Sequence, residues 1–361
     1  MKKADRTQYR RTFTLLVLNA DIAYALQKYI HATGDDAFLY EEGAEILVET
    51  ARLWWDLGFY SARKGGLFCI QGVTGPDEYN TVVHNNTFTN LMARENLRFA
   101  AATVDAMRQH HPHLYADLVY RTGLEDTEIA AWMKAANKMY VPFDEVLRIH
   151  PQDDSFLDKE PWDLPRTPAE EFPLLLNHHP LVIYRYRVIK QADIVLAMFL
   201  LGQWFSADQK RRNFAFYDPL TTSDSSLSVC IQSILASELG YKEKAIDYGR
   251  AAILMDLADI GGNVADGCHI ASMGGSWMVL VYGFAGMRDH NGQLSFNPKL
   301  PDEMTRLQFP LTFRGQLLYV DIELARATYL LRQGSELVIV HQGEEVRLRG
   351  GHPVSLAMKE L

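Results

Sequence analysis

Cysteine is scarce in this chain: Cys69, Cys230 and Cys268 stand far apart, and no Cys-x-x-Cys pair occurs. That argues against a disulfide framework or a cysteine zinc site and fits a reducing, cytoplasmic compartment. No block of Lys and Arg stands out, and the formal net charge is −9. Nucleic acid is therefore not expected as a partner, because binding it needs a basic footprint. The mild acidic excess speaks only to solubility. No stretch approaches the roughly 18 apolar residues a membrane helix requires. His84, His110, His111, His178 and His179 lack metal-ligand spacing, and no metal site is expected.

What is present is the profile of an ordinary soluble protein, 48% apolar and 22% charged. Its 361 residues suffice for one large domain or two smaller ones. At the N-terminus, Met1-Lys2-Lys3, Arg10-Arg11 and the apolar run Phe13 to Leu18 imitate a secretory signal, with Ala23-Tyr24-Ala25 as its cleavage site. Asn19 and Asp21 interrupt that run. From Leu15 onward Leu18, Ile22, Ala25, Leu26 and Tyr29 fall at helical spacing, so an ordinary helix is expected.

Up to about residue 290 the periodicity is helical. Gly43 to Leu57 places Ile46, Thr50, Leu53, Trp54 and Leu57 on one stripe. Thr87 to Met107, Ile189 to Phe205, Leu227 to Leu239, Lys242 to Leu257 and Ser272 to Phe284 read the same way. The longest irregular stretch, His150 to Pro180, contains Pro151, Pro161, Pro165, Pro168 and Pro173, and loops of that length usually serve function. Beyond Asn291 the texture changes. Leu307 to Phe313, Gln316 to Leu324, Ala327 to Arg332 and Glu336 to His341 are short and β-rich, separated by Gly315, Gly334 and Gly343. The expected division is a large helical domain over 1–291 and a small all-β domain over 292–361.

Three clusters could do chemistry. In Gly72-Val73-Thr74-Gly75-Pro76-Asp77-Glu78-Tyr79-Asn80, two glycines and a proline specify a rigid turn. A carboxyl flanked by Pro and Tyr, partly desolvated, would suit general acid work; solvated turn carboxylates or a helix cap explain the same residues. Thr221 to Ser228 precedes a helical pattern, where hydroxyls serve as caps and the helix start can also hold an anion. Asp266 to Trp277 includes His269, a possible anion donor, and the Gly274-Gly275 pair, which suits either backbone approach by a ligand or close helix packing. Lys190 and Gln191 open an apolar helix, where a Lys opposes the helix dipole. That mismatch favours a ligand role over a charged first turn.

Together these runs resemble glycoside hydrolase family sixty-five, the maltose, trehalose and kojibiose phosphorylases. The resemblance is carried by GVTGPDEYN and NNTFTNLMARENL (Asn85 to Leu97), and by ATGDDAFLYEEGAEILVETARLWW (Ala32 to Trp55). KQAD (Lys190 to Asp193), YDPLTTSDSSLS (Tyr217 to Ser228) and GCHIASMGGSWMVLVYGFAG (Gly267 to Gly286) complete it. It implies a mainly α fold, an (α/α)6 barrel followed by a small C-terminal all-β domain. It also implies Glu78 as general acid, Lys190 and Gln191 on the glucosyl unit, and Ser225, Ser226, His269, Gly274 and Gly275 around phosphate. The implied reaction is inverting phosphorolysis of an α-glucosidic disaccharide to β-glucose 1-phosphate and a free sugar. Phosphate is then a co-substrate, and no organic cofactor or metal is called for.

Three departures stand out. Ser223 and Leu18 occupy positions that are often His in the family. Full-length members also carry an N-terminal β-sandwich and early barrel helices, including a Trp-acid segment that binds glucose, before the point matching Met1. The expectation is thus an incomplete barrel of little or no activity alone, with a homodimer implied for full-length members. A hydrolase using Asp224 or Asp266 as base for water is the alternative reaction.

Overall fold

The computed structural model describes residues 6–223, 225–262 and 264–359, side chains excepted at 6–16 and at 266. Asp224 and the side chain of Asp266, the bases of the hydrolase alternative, lie outside the described residues, as does the side chain of Leu15. The chain divides into two units, one comprising residues 1–30, 35–200 and 219–222, the other 31–34, 201–218 and 223–361. The fold is mainly helical with C-terminal β-sheets.

The helices of the first unit are α1 (Arg6–Thr33), α2 (Ala44–Leu57), α3 (Thr87–His110), α4 (Pro112–Thr122), α5 (Asp126–Lys138) and α6 (Asp193–Leu200). α1 forms where helical spacing was expected, but its buried face is Val17, Ala20, Ala23, Leu26 and Ile30. Leu18, Ile22, Ala25 and Tyr29 are exposed. Apolar residues stand on two faces of α1, and the small Ala20 and Ala23 mark the one that packs closely. α2 is rotated in the same way. It buries Ala44, Leu47, Val48, Ala51 and Trp54 with Thr50, while Ile46 is exposed and Leu53 and Leu57 are half-buried. A buried polar relay fixes that rotation: the Trp54 indole donates to Asn96 Oδ1 at 3.0 Å, and Asn96 Nδ2 to Thr50 Oγ1 at 3.0 Å. Trp54, Asn96 and Thr50 are thus each partnered where they are buried.

No strand was expected before residue 290, yet β1 (Gly58–Ser61), β2 (Leu67–Val73) and β3 (Val83–His84) form a three-stranded antiparallel sheet. β2 and β3 pair through Gln71 with His84 and Val73 with Val83, so the Gly75–Asn80 run lies in their connection. The segment from His150 to Pro180 is irregular as expected, with no helix longer than the four residues Leu174–Asn177. It contributes Leu174 to a small core with Ile183, Val188 and Tyr79, and Trp162, Phe172 and Tyr186 pack around them.

In the second unit, α7 (Ala207–Tyr217), α8 (Ser228–Leu239), α9 (Lys242–Leu254) and α10 (Ile270–Met278) are followed by a π turn over Val279–Phe284. The strands β4 (Ser295–Phe296), β5 (Arg306–Phe313), β6 (Gln316–Glu323), β7 (Arg326–Gln333), β8 (Glu336–His341), β9 (Glu344–Arg349) and β10 (Pro353–Ala357) then form two sheets, ordered β10-β7-β6-β5 and β9-β8-β4. Alternation puts Leu318, Val320 and Ile322 of β6 and Ala327, Tyr329 and Leu331 of β7 inside. Arg314-Gly315 and Gln342-Gly343 turn two of the hairpins with positive φ at both residues, the backbone a tight two-residue hairpin demands.

Candidate active site

Glu78 and Asp77 are neighbours with opposite surroundings. The Glu78 side chain is 51% exposed, so the expected desolvation falls on the other carboxylate. Asp77 is fully buried. Its Oδ1 accepts the backbone N–H of Lys190 at 2.8 Å and of Tyr79 at 3.2 Å. Its Oδ2 accepts Asn80 Nδ2 at 2.6 Å and Gln152 Nε2 at 2.7 Å. Burial nevertheless pushes its pKa up to about 6, against these hydrogen bonds. Asp193, at the start of α6, is also fully buried, accepting the Asp77 N–H at 2.8 Å and Asn86 Nδ2 at 2.9 Å. Burial first, and the charge of Asp77 second, raise Asp193 well above the usual carboxylate range.

The turn packs against this pair by its backbone. A Cβ on Gly75 would lie 2.3 Å from Asp193 Oδ2 and 2.7 Å from Asn86 Nδ2, so only glycine fits. Tyr79 is buried on the far side, and its hydroxyl accepts the Leu174 N–H at 3.0 Å. Glu78 is thereby projected between two anchored residues. Lys190 Nζ meets its Oε2 at 2.8 Å, and Gln191 Nε2 donates to the Pro76 carbonyl at 2.5 Å. Glu78, Lys190 and Gln191 are therefore brought together. Lys190 and Gln191 do not form a charged first turn, because α6 begins only at Asp193; the expected helix from Ile189 is shorter, Ile189 being bridged to Thr221.

The remaining candidates lie in the second unit, at the starts of α8 and α10. Ser225 Oγ accepts the Leu227 N–H at 3.3 Å, and its carbonyl accepts the Ser228 N–H at 3.0 Å, ahead of α8. The Ser226 carbonyl accepts Ser272 Oγ at 3.2 Å, which joins the two helix starts. His269 caps α10 and is gripped twice by Asp256, its N–H at 2.9 Å and its Nδ1 at 2.6 Å. The hydrogen bond from His269 holds Asp256 below the usual carboxylate range. It also commits Nδ1, which fixes the orientation of the ring.

The glycine pair lies inside α10, beyond its start. Gly274 and Gly275 are the fifth and sixth residues of α10, past the four N–H groups that a helix start leaves unpaired. Ile270 N–H goes to the Cys268 carbonyl and Met273 N–H to that of His269. Gly275 is buried, and a Cβ there would lie 2.8 Å from Cys230 Sγ on α8. Its small size is a packing requirement. Gly274 is exposed, with open space above it.

Asp193, Asn86, Gln152 and Asp256 are site residues that motif reading passed over. The signal for Asp193 and Asp256 is a lone acid beside apolar runs, Asp193-Ile-Val-Leu and Ile-Leu-Met-Asp256-Leu. Among the described residues no helix is long and apolar enough to cross a membrane.

Comparison with known proteins gives this geometry a family. The glycosyl hydrolase family 65 central catalytic domain matches residues 3–278, and the C-terminal domain of the same family matches 287–348. An alpha,alpha-trehalose phosphorylase of Thermoanaerobacter brockii is 46% identical over 334 residues, 92% of this chain and 43% of that protein. The maltose phosphorylase of Bacillus subtilis (strain 168) is 36% identical over 95% of this chain and 44% of its own length. A solved structure from the human microbiome, assigned as a kojibiose phosphorylase, matches with a TM-score of 0.85 at 29% identity, covering 94% of this chain and 46% of that one. The chain thus spans less than half the length of the curated relatives it matches. On the matched domains and the Glu78 turn that they contain, the chain belongs to glycosyl hydrolase family 65.

Proposed function

We propose that this chain carries the catalytic residues of an inverting disaccharide phosphorylase. Glu78 is the general acid, Lys190 and Gln191 hold the glucosyl unit, and Ser225, Ser226 and His269 bind phosphate. The observation that carries the reading is the meeting of Glu78 and Lys190 at 2.8 Å on a turn locked from beneath by buried acids. The named phosphorylases among the relatives support it.

In the reaction a phosphate oxygen bonds to C1 of the glucosyl unit as the C1–O bond to the second sugar breaks. The departing oxygen takes the Glu78 proton, and inversion yields β-glucose 1-phosphate from an α-glucoside. A hydrolase needs a second carboxylate to activate water, whereas phosphate is already a charged nucleophile and needs only to be bound and aimed. Asp256 serves this by fixing the orientation of the His269 ring, which then donates to the anion. Lys190 has two partners in turn: it holds Glu78 Oε2 in the structure, and must pass to sugar hydroxyls for that oxygen to present a proton. Three separate free cysteines support a cytoplasmic setting.

The test is incubation with maltose, trehalose, kojibiose or nigerose, with and without phosphate. Sugar release must require phosphate and yield a glucose 1-phosphate. Glu78→Gln should cut the rate by about 10²–10⁴-fold, the usual contribution of a positioned acid. Glucose release at the same rate without phosphate would reject phosphorolysis.

A further inference from the structure

We propose that Asp77 and Asp193 are the positioning residues of this site, a buried carboxylate pair that clamps the turn carrying Glu78 to the segment carrying Lys190 and Gln191. The inference rests on the reading of Glu78 as proton donor.

The two segments are far apart in the chain, and the acids join them main chain to side chain in both directions. Asp193 accepts from the backbone of Asp77, and Asp77 accepts from the backbone of Lys190. The Asp77 N–H immediately precedes Glu78 and the Lys190 N–H belongs to the residue that contacts it. Any slip of one segment against the other would therefore open the Glu78–Lys190 contact.

The chemistry of each position calls for a carboxylate. Every neighbour of the Asp77 oxygens is a donor: two backbone N–H groups at Oδ1 and two side-chain amides at Oδ2. An Asn at 77 would set an NH₂ against donors whichever way it turned. Asn80 cannot adapt readily, since its Oδ1 is held by Lys159 and its Nδ2 also bonds the Val188 carbonyl at 3.1 Å. Asp193 is constrained through Asn86. That side chain caps α3, its Oδ1 accepting the Thr89 N–H and hydroxyl at 2.9 Å each, so its Nδ2 must face Asp193. Buried acids, with Asp153 buried beside Asp77 and Asp193, are a costly way to fill space. A mere spacer would be neutral.

A positioning role predicts a loss that depends on the leaving group. A sugar alkoxide needs the Glu78 proton, whereas fluoride leaves with far less help. In the full chain, Asp77→Asn should lose about 100-fold in kcat on the disaccharide, the scale of an ångström's misplacement. On α-glucosyl fluoride its loss should stay below about tenfold, as should that of Glu78→Gln. KM for phosphate should not change. Asp193→Asn, which leaves all four donors to Asp77, is the milder second variant and should show the same selectivity. In parallel, the Lys190 amide should exchange with solvent faster in Asp77→Asn, while the Leu196 amide in α6, bonded to the Ala192 carbonyl at 3.0 Å, keeps its protection. Equal losses on both donors, wild-type rates, or an unchanged Lys190 amide each overturn the proposal. An equal loss on both donors in Glu78→Gln instead sinks the Glu78 reading; where the wild-type chain turns over neither donor, the Lys190 amide decides alone whether Asp77 ties the segments.

Discussion

Gly75 shows how one missing side chain can set the chemistry of its neighbours. Its α-carbon lies so close to Asp193 and Asn86 that an added Cβ would overlap both. Gly75→Ala must push the turn outward or break the grip of Asp193 on the Asp77 N–H. Overpacking of this kind costs about 1–3 kcal/mol, which a shifted urea midpoint would reveal. Activity should fall further than stability, because the displaced segment is the one that carries Glu78. A variant with wild-type activity and a wild-type midpoint would show that the turn has slack. The motif made Gly75, Asp77 and Glu78 visible in the sequence, but not which acid is buried. Asp77 and Glu78 share the same flanking Pro and Tyr, and donors from far along the chain, Gln152 Nε2 and the Lys190 N–H, decide that Asp77 points inward.

Elements were legible where one apolar face dominated and obscure where two competed. α8 and the strands from β5 to β8 stand where hydrophobic spacing placed them, while α1 and α2 are turned about their axes. Their sequences offer alternative apolar stripes, and contacts such as Trp54 with Asn96 choose between them. β1 and β3 are too short for alternation to register, and β2 is buried on both faces at Phe68, Cys69 and Ile70. The Gly274-Gly275 pair left two readings open, ligand approach or helix packing, and the contact with Cys230 speaks for packing at Gly275. Gly275→Ala should therefore destabilise the α8–α10 contact by about 1–3 kcal/mol. Adding Cys230→Ala, which removes the sulfur that the new methyl would strike, should restore part of the loss. KM for phosphate should be unchanged in the double variant. A rise in KM with no recovery of stability would return Gly275 to the anion site.

Across the whole molecule, buried titratable groups pull stability in opposite directions with pH, so a single variant is needed to isolate one of them. Burial pushes Asp21 on α1 and Asp77 up to about 6, from the ordinary 3.8, and raises Asp193 well above the usual carboxylate range. Each keeps its proton in the folded state over a range where the unfolded chain has released it, so each lowers stability as pH rises. His150 and His341 are held below the ordinary 6.5, chiefly by burial, and act the other way, lowering stability as pH falls. The sum is shallow, but the difference between Asp21→Asn and wild type removes every shared contribution. At pH 4 the two proteins should be nearly equal, because Asp21 is protonated at least in the fold. The variant should gain as pH rises through 6 and level off above it. A shift of about two pKa units, reduced for residual solvent contact, corresponds to about 2 kcal/mol at pH 7. Urea midpoints at pH 4, 5, 6 and 7 would trace the curve. A difference that is constant with pH would mean that Asp21 is solvated like a surface acid and that α1 does not bury that side chain.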